Sequence, residues 1–139
     1  MEYKMTKNVR KKLATKLLYL ANTNKQGFSF SACIELKGKL YFAVNKVTSK
    51  NDPTAHAEIQ AIRLACKREK KYELKRAKIY CSGEPCPMCL TGIAWAGIKE
   101  IYYVNPYYMA TKNNRYYDRP SEKVNQFLKL KRKLIRIKR

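Results

Sequence analysis

The chain has 139 residues, 45% of them hydrophobic, and carries 31 Lys plus Arg against 10 Asp plus Glu, a formal charge of +21. That length and apolar content fit one globular domain over residues 1–139 and exclude a disordered chain. No apolar run nears the roughly 18 residues a membrane span needs, so no membrane role is expected, while the charge favours anionic partners, nucleic acid among them.

The N-terminal "MEYKMTKNVRKK" does not have the form of a signal peptide. Val9, Leu13, Leu17 and Leu20 recur at helical spacing and predict a first helix to about Ala21. "FSFSACIELKGKLYFAVN" then predicts two strands joined by a tight turn at Lys37-Gly38-Lys39. Asp52 is expected to cap a helix that begins at Pro53, where a missing N–H costs nothing, and runs to about Arg68. "KREKKYELKR" is a solvated connector, "AKIYCS" a strand, "PCPMCLTGIAWAG" a helix and "KEIYYVN" a fourth strand. The tyrosine-rich "PYYMATKNNRYYDRP" is a loop, and a basic helix is expected from about Ser121 to Arg139. This order predicts a three-layer α/β fold with helices on both faces of a central sheet.

Two stretches carry chemistry. "TAHAEIQAIR" contains the only histidine, His56, and "GEPCPMCL" places Cys86 and Cys89 three residues apart. One imidazole and two thiolates supply three protein ligands to zinc and leave a fourth position for water. Cysteines at i and i+3 share a helix face, and a helix N-terminus favours the thiolate. A structural zinc site would need a fourth ligand, and a redox C-x-x-C pair is a further alternative. Cys33, Cys66 and Cys81 lie in apolar patterns and read as buried thiols, in keeping with a reducing, cytoplasmic setting. Glu58 separates these readings. Two residues beyond His56, a carboxylate suits a proton shuttle between water and a departing nitrogen.

H-x-E followed by P-C-x-x-C is the signature of the zinc nucleobase deaminases, and both halves are present at His56–Glu58 and Pro85–Cys89. Over a wider span, "VNKVTSKNDPTAHAEIQAIRLAC" and "YCSGEPCPMCLTGIAWA" resemble the bacterial guanine deaminases of the cytidine deaminase-like superfamily. The resemblance runs from about Phe28 to Val104. It implies an α-β-α fold with a mixed sheet of four to five strands, only four of them evident from the sequence. It also implies one Zn2+ per subunit on His56, Cys86 and Cys89, Glu58 as shuttle, and a homodimer with C-terminal segment exchange.

For the substrate, the resemblance implies that Asn45 presents a donor and an acceptor to a purine edge, that Ala57 offers its backbone N–H, and that Phe30 packs on the ring. Trp95 either covers the pocket or fills the helix–sheet core. Asp118 in "RYYDRP" is the acidic residue for guanine N–H groups, or else a turn residue. "SFSA" at Ser29–Ala32 replaces the family's "PFGA". The tRNA adenosine deaminases share "DPTAHAE" and the asparagine and form the alternative. For them the tail Lys129–Arg139, with Leu130, Leu134 and Ile137 at helical spacing, would turn its charges to RNA phosphates, and Tyr107, Tyr108, Tyr116 and Tyr117 would stack on bases or sit in an interface. A non-catalytic zinc module that binds nucleic acid is the remaining reading.

Overall fold

A computed structural model describes residues 4–106 and 133–138. The described elements run α1 (Lys7–Asn22), β1 (Ser31–Leu36), β2 (Lys39–Val44), α2 (Val47–Lys50), α3 (Ala57–Glu69), β3 (Lys78–Gly83), α4 (Pro87–Trp95), β4 (Glu100–Asn105) and β5 (Lys133–Arg136). They form a five-stranded mixed sheet in the order β2-β1-β3-β4-β5. β1 is antiparallel to both β2 and β3, whereas β3, β4 and β5 are parallel.

Local chemistry accounts for the element ends. Thr6 caps α1 by accepting the Val9 N–H at 3.3 Å. The β1–β2 turn places Lys37 and Gly38 at φ of 53° and 82°, the two positive values that a two-residue hairpin needs to match strand twist. Both C-x-x-C residues belong to the start of α4, with Cys86 as N-cap and Pro87 in the first turn.

The two sheet faces bury different surfaces. α1 lays Leu13, Ala14 and Leu17 against Cys33, Tyr80 and Tyr102, whose rings stack with centroids 4.7 Å apart. Arg10 stands over the Tyr102 ring at 4.7 Å. On the opposite face α3 and α4 bury Ala57, Ala61, Ala65, Leu90 and Ile93 against Ile34, Ile79 and Ile101. Cys33 and Cys81 are buried free thiols, as expected, and Cys66 is half-buried. Among the described residues, no helix is long and apolar enough to cross a membrane.

Two sequence expectations need correction. The helix with the histidine starts at Ala57, not Pro53. Asp52 accepts from the backbone N–H and hydroxyl of Thr54, at 2.8 and 2.7 Å, and so holds a turn that brings His56 to the N-cap position. The basic tail is not helical where it is described. Lys133–Arg136 is the fifth strand, paired in parallel with β4. Leu134 packs on the α3 face and Ile135 and Ile137 on the α1 face, an alternation of period two. The spacing of Leu130, Leu134 and Ile137 satisfied a helical stripe, but the open edge of β4 offered hydrogen bonds that a helix could not take up. Glu100 pins the register, since its carboxylate meets Lys78 of β3 at 3.5 Å and Lys133 of β5 at 3.6 Å.

Candidate metal centre

Two helix N-termini meet where β2 and β3 end. His56 caps α3 and Cys86 caps α4, each in extended backbone with no side-chain capping bond. Their side chains are thereby released from capping and turn toward one another. His56 Nδ1 lies 3.5 Å from Cys86 Sγ and 3.4 Å from Cys89 Sγ. All three ligand atoms fall within 4.8 Å and all three residues are buried.

The donor set fits zinc on geometry as well as chemistry. Bonds of about 2.3 Å to sulfur and about 2.0 Å to nitrogen, at a tetrahedral angle, put N and S about 3.5 Å apart. The observed separations have that value, so the side chains need no rearrangement to take the ion. Three protein ligands among the described residues leave a coordination position open, which distinguishes this centre from a closed structural site.

Electrostatics around the cluster is tightly coupled. Cys86 is held down to about 4, chiefly because the Cys89 thiol hydrogen-bonds to it, with burial opposing and His56 assisting. Cys89 moves the opposite way, well above the ordinary thiol value, through burial and through the same bond. Burial pulls His56 down, but the Cys86 hydrogen bond and the charges of Cys86, Glu58 and Asp52 outweigh it and raise the imidazole.

Glu58 sits in the first turn of α3 and is 2% exposed. Burial, and next the Cys86 thiolate, push its carboxyl up to about 7. Its Oε2 is buried with no hydrogen-bond partner among the described residues. A carboxylate oxygen left in that condition beside three ligand atoms is suited to exchange a proton with a molecule entering the site.

The remaining expected residues are distributed as follows. Asn45 is buried immediately after β2. Its Oδ1 accepts from the backbone N–H groups of Phe28 at 3.1 Å and Val47 at 3.0 Å. With both Oδ1 lone pairs used, Nδ2 is the atom that Asn45 has left to offer, as a donor. Phe30 packs against Cys86 and Cys89 together with Ile59 and Met88, forming an apolar wall to the cluster. Ala57 is buried at the first helical position, where its N–H has no intrahelical acceptor. Trp95, the last residue of α4, is 83% exposed, which rules out the helix–sheet core. Asp118 and the four tyrosines 107, 108, 116 and 117 lie outside the described residues.

Sequence reading missed Gly27, Ile59 and Met88. A Cβ on Gly27 would stand 2.3 Å from Asn45 Oδ1 and 2.7 Å from the Asn45 carbonyl oxygen. Glycine here lets the loop close directly on the asparagine. The glycine in "NKQGF" was visible as a turn residue, but its neighbour across 18 positions was not.

Comparisons with known proteins agree with this geometry. Residues 6–105 match the family described as the cytidine and deoxycytidylate deaminase zinc-binding region. The guanine deaminase of Bacillus subtilis strain 168 is 56% identical over 59 residues, 42% of this chain and 38% of that relative. The crystal structure of a Bacillus subtilis guanine deaminase superposes with a TM-score of 0.69 at 39% identity, over 72% of this chain and 66% of that one. A tRNA-specific adenosine deaminase of Buchnera aphidicola subsp. Schizaphis graminum is 35% identical over 103 residues, 73% of this chain and 68% of that relative. The chain thus matches well under half the length of the first of these relatives and about two thirds of the last. With its ligand triad, its buried glutamate and a match across most of its length, the chain belongs to the cytidine and deoxycytidylate deaminase zinc-binding family.

Proposed function

We propose that the protein removes the amino group of guanine by hydrolysis, giving xanthine and ammonia. The observation that carries this reading is the buried Glu58 carboxylate oxygen, without a partner among the described residues, beside the His56, Cys86 and Cys89 cluster. When bound, zinc supplies Lewis acidity and lowers the pKa of water at the open position. Glu58 takes the proton of the attacking water and passes it to the departing nitrogen. Asn45 donates from Nδ2 to an acceptor on the purine, the Ala57 N–H does the same, and Phe30 with Ile59 and Met88 keeps bulk water from the ring.

Guanine is preferred over other amino-heterocycles because the Bacillus guanine deaminase match reaches 56% identity across the motif-bearing stretch. Asp118 is the acceptor for guanine N–H groups in this reading, and Asp118→Asn is expected to lower guanine turnover while zinc content stays at one per chain. A homodimer in the cytoplasm completes the proposal, and the exposed Trp95 at the end of α4 supports a subunit contact there.

The second reading, deamination of adenosine in a tRNA anticodon loop, is favoured by the long Buchnera match and the +21 charge. It would use the tail at Lys129–Arg139 for RNA. Ammonia release from free guanine by zinc-loaded protein, at low and moderate salt, tests the choice. Salt-insensitive formation of xanthine supports guanine as substrate. No xanthine, together with inosine formation in tRNA, overturns it.

A further inference from the structure

On the far side of α3 from the ligand triad, a cavity of about 550 Å³ follows the open edge of β2. Phe42, which packs on the α1 side of the sheet, and Ala43, which packs on the α3 side, both line it, so the cavity wraps around the edge strand. Among the described residues no strand pairs with this edge, and such an edge presents backbone N–H and C=O groups.

The charge in this cavity is one-sided. Lys46, Lys50, Arg63 and Lys67 line it, and no acidic residue does. Asp52 is the nearest compensation, 3.6 Å from Arg63. Neither Lys46 nor Lys67 has an ion-pair partner among the described residues, and Lys50 Nζ reaches only the neutral Gln60 Oε1, at 3.2 Å. Gln60 lines the same cavity, is 7% exposed, and keeps a buried Nε2 donor without any partner among the described residues. Lys50, Arg63 and Lys67 are exposed and Lys46 half-buried, so the cations stay available to an entering group. An anion with several acceptor oxygens could engage them together with the buried Gln60 donor. Leu20, Val44 and Leu64 add apolar surface to the same lining.

The geometry points to a second, non-catalytic binding site here for the phosphate groups of a nucleotide, with the base along the apolar surface and the β2 edge. The volume is that of a small-ligand site, and the combination of a cationic rim, apolar surface and strand-edge groups matches a nucleotide better than a bare phosphate. This inference does not depend on the substrate of the metal centre, because binding is measured directly.

The experiment is calorimetric titration of the zinc-loaded full chain, at about 0.15 M salt to screen bulk charge, with ATP, GTP, tripolyphosphate, guanosine and a short single-stranded oligoribonucleotide. ATP or GTP is expected to bind at least about tenfold more tightly than tripolyphosphate or guanosine. Lys50→Gln/Lys67→Gln is expected to weaken nucleotide binding by at least about tenfold. Lys11→Gln/Lys12→Gln, which removes the same charge from exposed positions of α1, should change it by less than about twofold. Neither double variant should alter guanine turnover. Equal losses in both variants would reduce the effect to bulk charge and overturn the proposal. Binding of the oligoribonucleotide alone, or of no probe, would overturn it too, whatever the guanine assay shows.

Discussion

α3 carries two regions that could hardly differ more. Its N-cap and first turn hold His56, Ala57 and Glu58, all buried, with His56 against two cysteines. From Gln60 onward, the face with Arg63, Leu64 and Lys67 opens on a cationic cavity at the sheet edge. In the first region a proton cannot move without shifting its neighbours. In the second, mostly exposed charges act nearly independently and are open to screening. Function in the first is therefore decided by single atoms, in the second by the sum of a rim.

The sharpest way to break this comparison is at Glu58. Glu58→Gln should retain one zinc per chain by metal analysis and lose turnover by about a thousandfold, since the ligands stay and the shuttle goes. Turnover within tenfold of the parent protein would move proton transfer elsewhere. Cys89→Ala is expected to abolish stoichiometric zinc, because it leaves two ligands where three are needed. Zinc retained at full stoichiometry after extensive dialysis would remove Cys89 from the ligand set.

Titration of the metal-free protein sharpens the same contrast. Glu58 holds a proton in the folded state up to about 7, against the ordinary carboxyl value of 4.5. Its stabilising contribution is therefore present below 4.5 and is lost as pH rises through about 7. Cys86, lowered to about 4, works in the opposite sense, so between pH 4.5 and 7 the two slopes oppose each other. Relative to Glu58→Gln, the parent protein should lose stability at about 1.4 kcal/mol per pH unit across that window. Parallel urea-midpoint profiles for the two proteins would show that Glu58 is not protonated there.

Two glycines test local crowding. Gly27→Ala meets the amide and backbone oxygens of Asn45 at 2.3 and 2.7 Å and is expected to destabilise by about 2–3 kcal/mol. Gly92→Ala meets the end of the flexible Ile59 side chain at 2.9 Å and should cost under about 1.5 kcal/mol. Denaturant melts that rank them the other way would undo the argument for Gly27. Smallest of all, Trp95→Ser should shift monomer stability by no more than about 0.5 kcal/mol, because the indole is 83% exposed.

How far the sequence could be read depended on the range of the forces involved. The triad and Glu58 were legible because zinc chemistry demands particular atoms at short spacings, and "HAE" and "PCPMC" each supply them within a few residues. The hairpin, α1 and α4 followed from turn chemistry and periodicity, which are local too. Asn45 was singled out by resemblance, but only the fold showed that Phe28 and Val47 use its acceptor. Asp52 illustrates a related limit, since an N-cap and a turn residue use the same oxygen and only the path to His56 chose between them.

By itself, then, the sequence picked out the three residues positioned to hold a metal, the glutamate beside them and the layered α/β class, all consequences of residue type and short-range pattern. Tertiary structure alone decided that the tail at Lys133–Arg136 is a strand, because "KLIRIK" suits either period and only the unpaired edge of β4 gives one of them hydrogen bonds. It also decided which end of Asn45 remains available, and it gathered Lys46, Lys50, Arg63 and Lys67 around one cavity from a strand end, a helical turn and a helix face. Those outcomes rest on contacts between segments far apart in the chain, which no local pattern encodes.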